Sequence, residues 1–261
     1  MTAPARAGTL PRHPHPTRHA YARSLPLSTF APIPPEMWGS LWLTVRLAAT
    51  TTALLLAGGL PLAGWLTRSR SPFSGLVEAL VTLPIVLPPT VIGFYVLLLL
   101  GSHSPIGRGW MDLFGHSLAF SFPGLVVGSV LYSLPYAVQP MQTALRDVEP
   151  GLIEAASALG ARGRQVFWRV MVPAARNGVL TGAALCFAHT MGEFGVVLML
   201  GGNIPGVTRV ASIALYDETQ TLNYGVANSY ALLLMLLSLA MLLFIAWLRR
   251  RTPAAARPQP R

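Results

Sequence analysis

The chain alternates between long apolar stretches and short polar connectors. Residues 41–66, 77–100, 121–145, 178–200 and 225–248 are each long runs with very few charged side chains. A helix rises 1.5 Å per residue, so about 20 apolar residues cross a hydrocarbon core about 30 Å thick. The runs are continuous and lack the period-two alternation of barrel strands, and backbone inside lipid must satisfy its own hydrogen bonds. The pattern predicts an all-α integral membrane protein with about five transmembrane helices.

Composition strengthens this. Only 11% of the 261 residues are charged and 52% are apolar, against about 25% charged in an ordinary soluble domain. Charge placement adds an orientation. Arg68 and Arg70, the five arginines from Arg146 to Arg176, and those from Arg249 onward fall at one end of the alternating runs. The opposite connectors hold only Arg108 and Arg209. The positive-inside rule makes the arginine-rich side cytoplasmic. The basic C-terminal tail 251–261 is then inside and the N-terminus outside. Residues 1–35 carry Arg6, Arg12, Arg18 and Arg23 and run against that rule. Broken by prolines and lacking a signal peptide's apolar core, they read as a disordered tail. Residues 36–250 read as the transmembrane domain.

All 19 basic residues are arginine. A Walker-type phosphate loop needs its lysine, so the chain is not expected to hydrolyse ATP alone, and Schiff-base catalysis is excluded. Cys186 is the lone cysteine, which rules out an internal disulfide and a cysteine-based metal cluster. A membrane enzyme would need clustered acid–base or metal-binding groups. His103, Asp112 and His116 are the faint candidates, without the i, i+4 spacing of a helical metal site. A secondary transporter or channel predicts coupling acids and inverted repeats. Glu193 is one clear intramembrane acid, and no repeat is visible.

The connector between the third and fourth runs is the most informative. Pro150 suits a first helical turn, with Asp147 and Glu149 near the positive end of the dipole. Leu152, Ala155, Ala156 and Leu159 fall at i, i+3, i+4 and i+7, one apolar face, and Gly160 ends the helix. A second short helix carries Gly163, Val166, Phe167 and Val170 on one face, with Arg162, Gln165 and Arg169 on another, until Pro173 breaks it.

Glu154-Ala155-Ala156, three residues, Gly160, nine residues, then Val170-Met171-Val172-Pro173 resembles the EAA loop of binding-protein-dependent ABC importer permeases of the type I group. Val170 and Val172 stand where that family has Ile and Leu. Leu83 to Gly93, with Pro84, Pro88 and Pro89, resembles the Pro-Pro signature of its molybdate and sulfate permease group. His189-Thr190-Met191-Gly192-Glu193-Phe194-Gly195 is similar to that group's Gly-Glu-Phe-Gly segment. Gly202 to Arg209 resembles the stretch next to that segment in molybdate permeases. The resemblance covers about residues 36–250. It implies a permease subunit that forms the path for molybdate, with sulfate or tungstate as the alternative cargo. It also implies a separate ATPase subunit holding ATP and Mg, an external molybdate-binding protein and a second copy of the chain. No cofactor in this chain and no nucleic acid are expected.

The resemblance assigns ATPase coupling to Glu154, Ala155, Ala156, Gly160, Val170 and Pro173. It makes Pro84, Pro88, Pro89, Gly192, Glu193, Phe194 and Gly195 pathway or gate candidates. Asn203, Pro205, Thr208 and Arg209 become docking candidates for the binding protein. On the residues alone, the prolines allow either a broken helix facing a path or simple packing kinks. A carboxylate at Glu193 would repel an oxyanion, so a gate or interface role paired with Arg46 or Arg209 is expected. Arg46 could also snorkel to the interface, and His189 reads as a packed polar residue.

Overall fold

A computed structural model describes residues 35–251, with side chains to Trp247; the expected tail over 1–34 and residues 252–261 lie outside the described residues. Every regular element described is helical. α1 (Pro35–Arg68) opens on a proline whose missing N–H costs the first turn nothing, and it carries Glu36 in its first turn and Arg68 in its last, matching the helix dipole. α1 and α12 (Tyr224–Arg251) contain runs long and apolar enough to cross a membrane as single helices. α5 (Phe122–Arg146) has 25 residues, also a crossing length. Its Ser121 cap accepts from the Gly124 N–H at 3.3 Å.

The second apolar run is not one helix. α2 (Phe73–Val86) and α3 (Pro89–Leu100) meet at 117°. A residue before proline is pushed out of the helical region. Leu87 precedes Pro88 and Pro88 precedes Pro89, and both adopt ψ 138°. The helix must stop there and restart with Pro89 in its first turn. The fourth run is also interrupted: α9 (Arg176–Met191) ends at Gly192, and α10 (Gly195–Gly201) begins after Phe194. Two connectors expected to be loops contain helices, α4 (Pro105–Phe114) and α11 (Ala211–Gln220).

Two apolar layers stack along the bundle. One joins Leu43 and Leu47 of α1 to Ile92 and Val96 of α3, Leu125 of α5, and Val196 and Leu200 of α10. The other joins Leu55 and Leu66 of α1 to Val138 and Leu145 of α5, and to Val166 and Met171 beyond them. α1 and α5 therefore run side by side and end together at the arginine-rich end. A third cluster ties Met37 and Leu41 to Ala211, Val226 and Tyr230, which sets α12 beside α1 in the same direction. α9 approaches α5 through small residues. A Cβ at Gly178 would collide with Ala144, and one at Gly182 would lie 2.6 Å from the Ala137 carbonyl. This is the small-residue packing by which membrane helices come close.

The long connector differs from expectation in two ways. α6 (Pro150–Ala158) turns Ile153 and Ala156 toward the α1–α5 layer, whereas Leu152, Ala155 and Leu159 face outward, Leu159 at 89% exposure. The expected single apolar face is thus split. Beyond α7 (Gly163–Val166), Pro173 does not end the second helix. A π-turn over Phe167–Met171 leads into α8 (Val172–Ala174), and the chain bends by 75° at Ala175 before α9. Pro173 cannot donate and would clash with the carbonyl one α-turn back, and the wider π-turn relieves both.

Gly64 connects this segment to α1. A Cβ at Gly64 would collide with Phe167 Cε2, so only glycine lets the ring seat against the helix. Gly64→Ala should lower stability by the about 1–3 kcal/mol typical of overpacking. Phe167→Leu in the same chain should recover most of it. Thermal unfolding of the purified chain in detergent reads both, and no recovery would refute this contact as the link.

Candidate functional site

The two interrupted runs meet. Pro89 and Thr90 at the start of α3, and Gly192, Glu193, Phe194 and Gly195 between α9 and α10, line one cavity of about 590 Å³ with Tyr132 of α5 and His189 of α9. The fit is close: a Cβ at Gly195 would lie 2.8 Å from Pro89 Cβ. Five of the pathway candidates are thus brought together. Pro84 and Pro88 do not line the cavity: Pro88 stands in the break, and Pro84 lies inside α2, which continues to Val86.

A hydrogen-bonded cluster backs the cavity. Ser133 Oγ lies 2.9 Å from His189 Nδ1 and 2.9 Å from Thr190 Oγ1, and Thr190 donates to the Cys186 carbonyl at 3.0 Å. The His189 ring stacks on Tyr136 at 3.8 Å and 21°. His189 is therefore both packed and in contact with the cavity. Thr90, Tyr132 and Ser133 were missed from the sequence. Their signal was a run of hydroxyl-bearing residues along α5 (Ser129, Tyr132, Ser133 and Tyr136) inside an otherwise apolar span.

Glu193 is 4% exposed. The expected pairing with Arg46 or Arg209 does not occur. Arg46 lies over the Phe122 ring at 4.5 Å, and Arg209 pairs with Asp217 at 3.2 Å. Both arginines are held by other partners. Ser129 is close enough to interact with Glu193 electrostatically, but neither carboxylate oxygen, nor Ser129 Oγ, makes a hydrogen bond of ordinary geometry. The main chain at the same point is well held. The Glu193 carbonyl accepts from Ser212 Oγ at 2.5 Å, and Phe194 meets Tyr216 at 5.0 Å. α11 thus clamps the break from outside.

The connector after α10 serves two purposes. Asn203 and Pro205 are exposed, as a docking surface requires. Thr208 is not: it is fully buried, donates to the Gly201 carbonyl at 2.6 Å and accepts from the Ile204 N–H at 3.2 Å. It folds the loop rather than meeting a partner. Arg209 and Asn203 converge on the Asp217 carboxylate and tie the loop to α11. Thr44 of α1 accepts from the Ala211 N–H at 2.8 Å and anchors the start of α11.

At the opposite end, Glu154, Ala155, Gly160 and Pro173 are exposed, whereas Ala156 and Val170 are half-buried. Gly160 has φ +83°. The Gly160 N–H donates to Ser157 at 2.9 Å and the Ala161 N–H donates to Ala156 at 3.1 Å, a Schellman closure that favours glycine at this position. Alongside, α2 is tied to α5. Glu78 Oε1 accepts from Gln142 at 3.1 Å and from Arg146 at 3.3 Å, and Gln139 donates to Thr82 at 3.3 Å.

A buried carboxylate without a partner destabilises the fold it sits in. Glu193→Met, which removes the unsatisfied polar group at similar volume, should therefore raise the thermal unfolding temperature, by the equivalent of about 1–3 kcal/mol. Any function of the cavity that uses the charge should fall at the same time. An unfolding temperature that drops would mean the carboxylate is satisfied in the folded protein.

Comparison with known proteins places this geometry. Residues 50–253 match the family model described as binding-protein-dependent transport system inner membrane component. The chain is 48% identical over 212 residues to the molybdenum transport system permease protein ModB of Azotobacter vinelandii, covering 81% of this chain and 93% of that one. It is 34% identical to the Escherichia coli K12 protein of the same name, covering 82% and 93%. It is 33% identical to a probable sulfate transport system permease protein of Nephroselmis olivacea, covering 78% and 72%. Among solved structures, a bacterial ABC transporter that imports alginate superposes with a TM-score of 0.70 at 16% identity, covering 84% of this chain and 80% of that one. The inward-facing MetNI methionine ABC transporter superposes at 0.64 and 20% identity, covering 83% and 97%. The interrupted helices, the exposed Glu-Ala-Ala loop and the match over most of the chain lead to one conclusion: this chain belongs to the family of binding-protein-dependent transport system inner membrane components.

Proposed function

We propose that the chain is the membrane-spanning permease subunit of an ATP-driven importer for molybdate, and that its ATPase is a separate chain. The observation that carries the coupling is α6. It presents Leu152, Ala155 and Leu159 outward at the arginine-rich end, while Ile153 and Ala156 hold it to the α1–α5 layer. A partner that grips the outer face can move the inner one. The Phe167–Gly64 contact carries that motion into α1. The arginine excess makes this end cytoplasmic, so ATP and Mg are bound there by the partner, and residues 36–250 act as the transmembrane domain. The N-terminus is then outside, with the exposed Asn203–Pro205 surface turned toward an external binding protein. A second copy of the chain completes the path.

The cavity at Pro89 and Gly192–Gly195 is the passage point in this reading. Its lining offers the hydroxyls of Thr90 and Tyr132, the His189 imidazole and the Glu193 carboxyl, which disfavours a resident anion, rather than a cluster of arginines. That suits transient passage of an anion captured elsewhere, since tight capture uses converging charged donors. Moving a two-state equilibrium from 1:99 to 99:1 takes about 5.5 kcal/mol, within reach of nucleotide binding and hydrolysis in a partner. Molybdate is favoured over sulfate and tungstate by the Asn203–Arg209 stretch and by the names of the more identical relatives.

Two measurements test this. In the reconstituted complex, molybdate should compete radiolabelled uptake more strongly than sulfate or tungstate; stronger competition by sulfate would reassign the cargo. Glu154→Arg and Gly160→Trp should abolish uptake while ATP hydrolysis continues. The second variant also forces a side chain into a left-handed backbone, which costs about 1–2 kcal/mol. Normal uptake by both variants would remove α6 from the coupling path.

A further inference from the structure

A groove of about 390 Å³ lies between the arginine-rich end of α1 and the π-turn segment, outside the passage cavity. Pro61, Trp65, Phe167 and Trp168 give it an apolar and aromatic lining, and Arg68 and Arg164 add two cationic side chains. None of the lining residues is acidic. Arg68 gives one N–H to the Gly163 carbonyl at 3.3 Å, which holds its guanidinium across the gap between the two segments. Trp65 and Trp168 are both exposed.

We infer that this groove binds an anionic phospholipid of the inner leaflet, with its headgroup phosphate between Arg68 and Arg164 and an acyl chain along Pro61 and Trp65. Depth supports a lipid rather than a soluble partner. Pro61 and Trp65 lie within the apolar run of α1, the part of the helix that a hydrocarbon core covers. Arg68 comes one turn later, where headgroups begin. Tryptophan is enriched at this boundary, and basic pockets on the cytoplasmic side suit anionic headgroups. The outer face of α6, which the ATPase grips in the proposed function, lines no part of this groove. A lipid seated here touches α1 and the coupling segment together and would brace the Phe167–Gly64 contact. The inference rests on the orientation proposed above.

The test uses the complete permease–ATPase complex in nanodiscs of phosphatidylcholine mixed with phosphatidylglycerol, with retained lipid read by native mass spectrometry. The wild type should retain phosphatidylglycerol in preference. Arg164→Gln, which leaves the Arg68–Gly163 bond in place, should weaken retention about fivefold, and Arg68→Gln with Arg164→Gln about 30-fold. Unchanged retention in both variants would overturn the assignment. So would displacement of the lipid by excess inorganic phosphate, because a free anion cannot replace the acyl chain. A crosslink from Trp168→Cys to the ATPase would also overturn it, by showing the groove covered by protein. Arg164→Cys should react with an impermeant maleimide only after right-side-out vesicles are opened. Labelling in sealed vesicles would overturn the inner-leaflet assignment and the orientation while leaving the retention result to judge the groove.

Discussion

Inside a bilayer no water is at hand to satisfy a freed backbone group, so a helix can be broken only where protein shelters the break. This constraint organises the structure. Leu87-Pro88-Pro89 must leave the helical region, and Gly192-Glu193-Phe194 does so as well. The two breaks are set against each other, beside Tyr132 of α5 and under α11. Each lies against the other, and the space left between them is the cavity.

The central helix accordingly carries several polar groups. α5 places Ser129, Ser133 and Gln142 in the interior, fully or nearly fully buried. It is packed between α1, α9 and α2 instead of facing lipid. α12, by contrast, leaves Leu236, Leu239, Leu243 and Phe244 exposed, as a lipid-facing or partner-facing helix would. Glycine and alanine on α9 let it pass close to α5, so helix contacts in this part rest on backbone proximity more than on large side chains.

The two ends of the bundle are joined through rigid contacts. At one end, α11 is tied to α1 through Thr44 and to the upper break through Ser212. At the other, the π-turn segment seats Phe167 on Gly64 of the same α1. α1 therefore touches both the clamp on the cavity and the segment next to the Glu-Ala-Ala helix. A continuous packed route thus joins α6 to the cavity.

Much was legible in the sequence alone. Local rules sufficed for the apolar runs that became α1, α5 and α12 and for the left-handed glycine that closes α6, whereas the prolines before α3 left a break and a kink equally open. These depend on residues within one or two turns. The rest required the tertiary structure. The outward face of α6 could not be chosen from a nine-residue helix with apolar side chains nearly all round; packing of Ile153 and Ala156 on the α1–α5 layer chose it. Arg209 had several acids in reach on paper, and the position of α11 gave it Asp217 and left Glu193 alone. Thr208 looked like a surface residue because its motif is polar, yet the carbonyl of Gly201 needed a donor and drew it inside. Above all, no local pattern says that two breaks more than 100 residues apart share one cavity. Each break follows from its own backbone, but their meeting follows from how α3, α5 and α10 pack on one another, and only the folded bundle decides that.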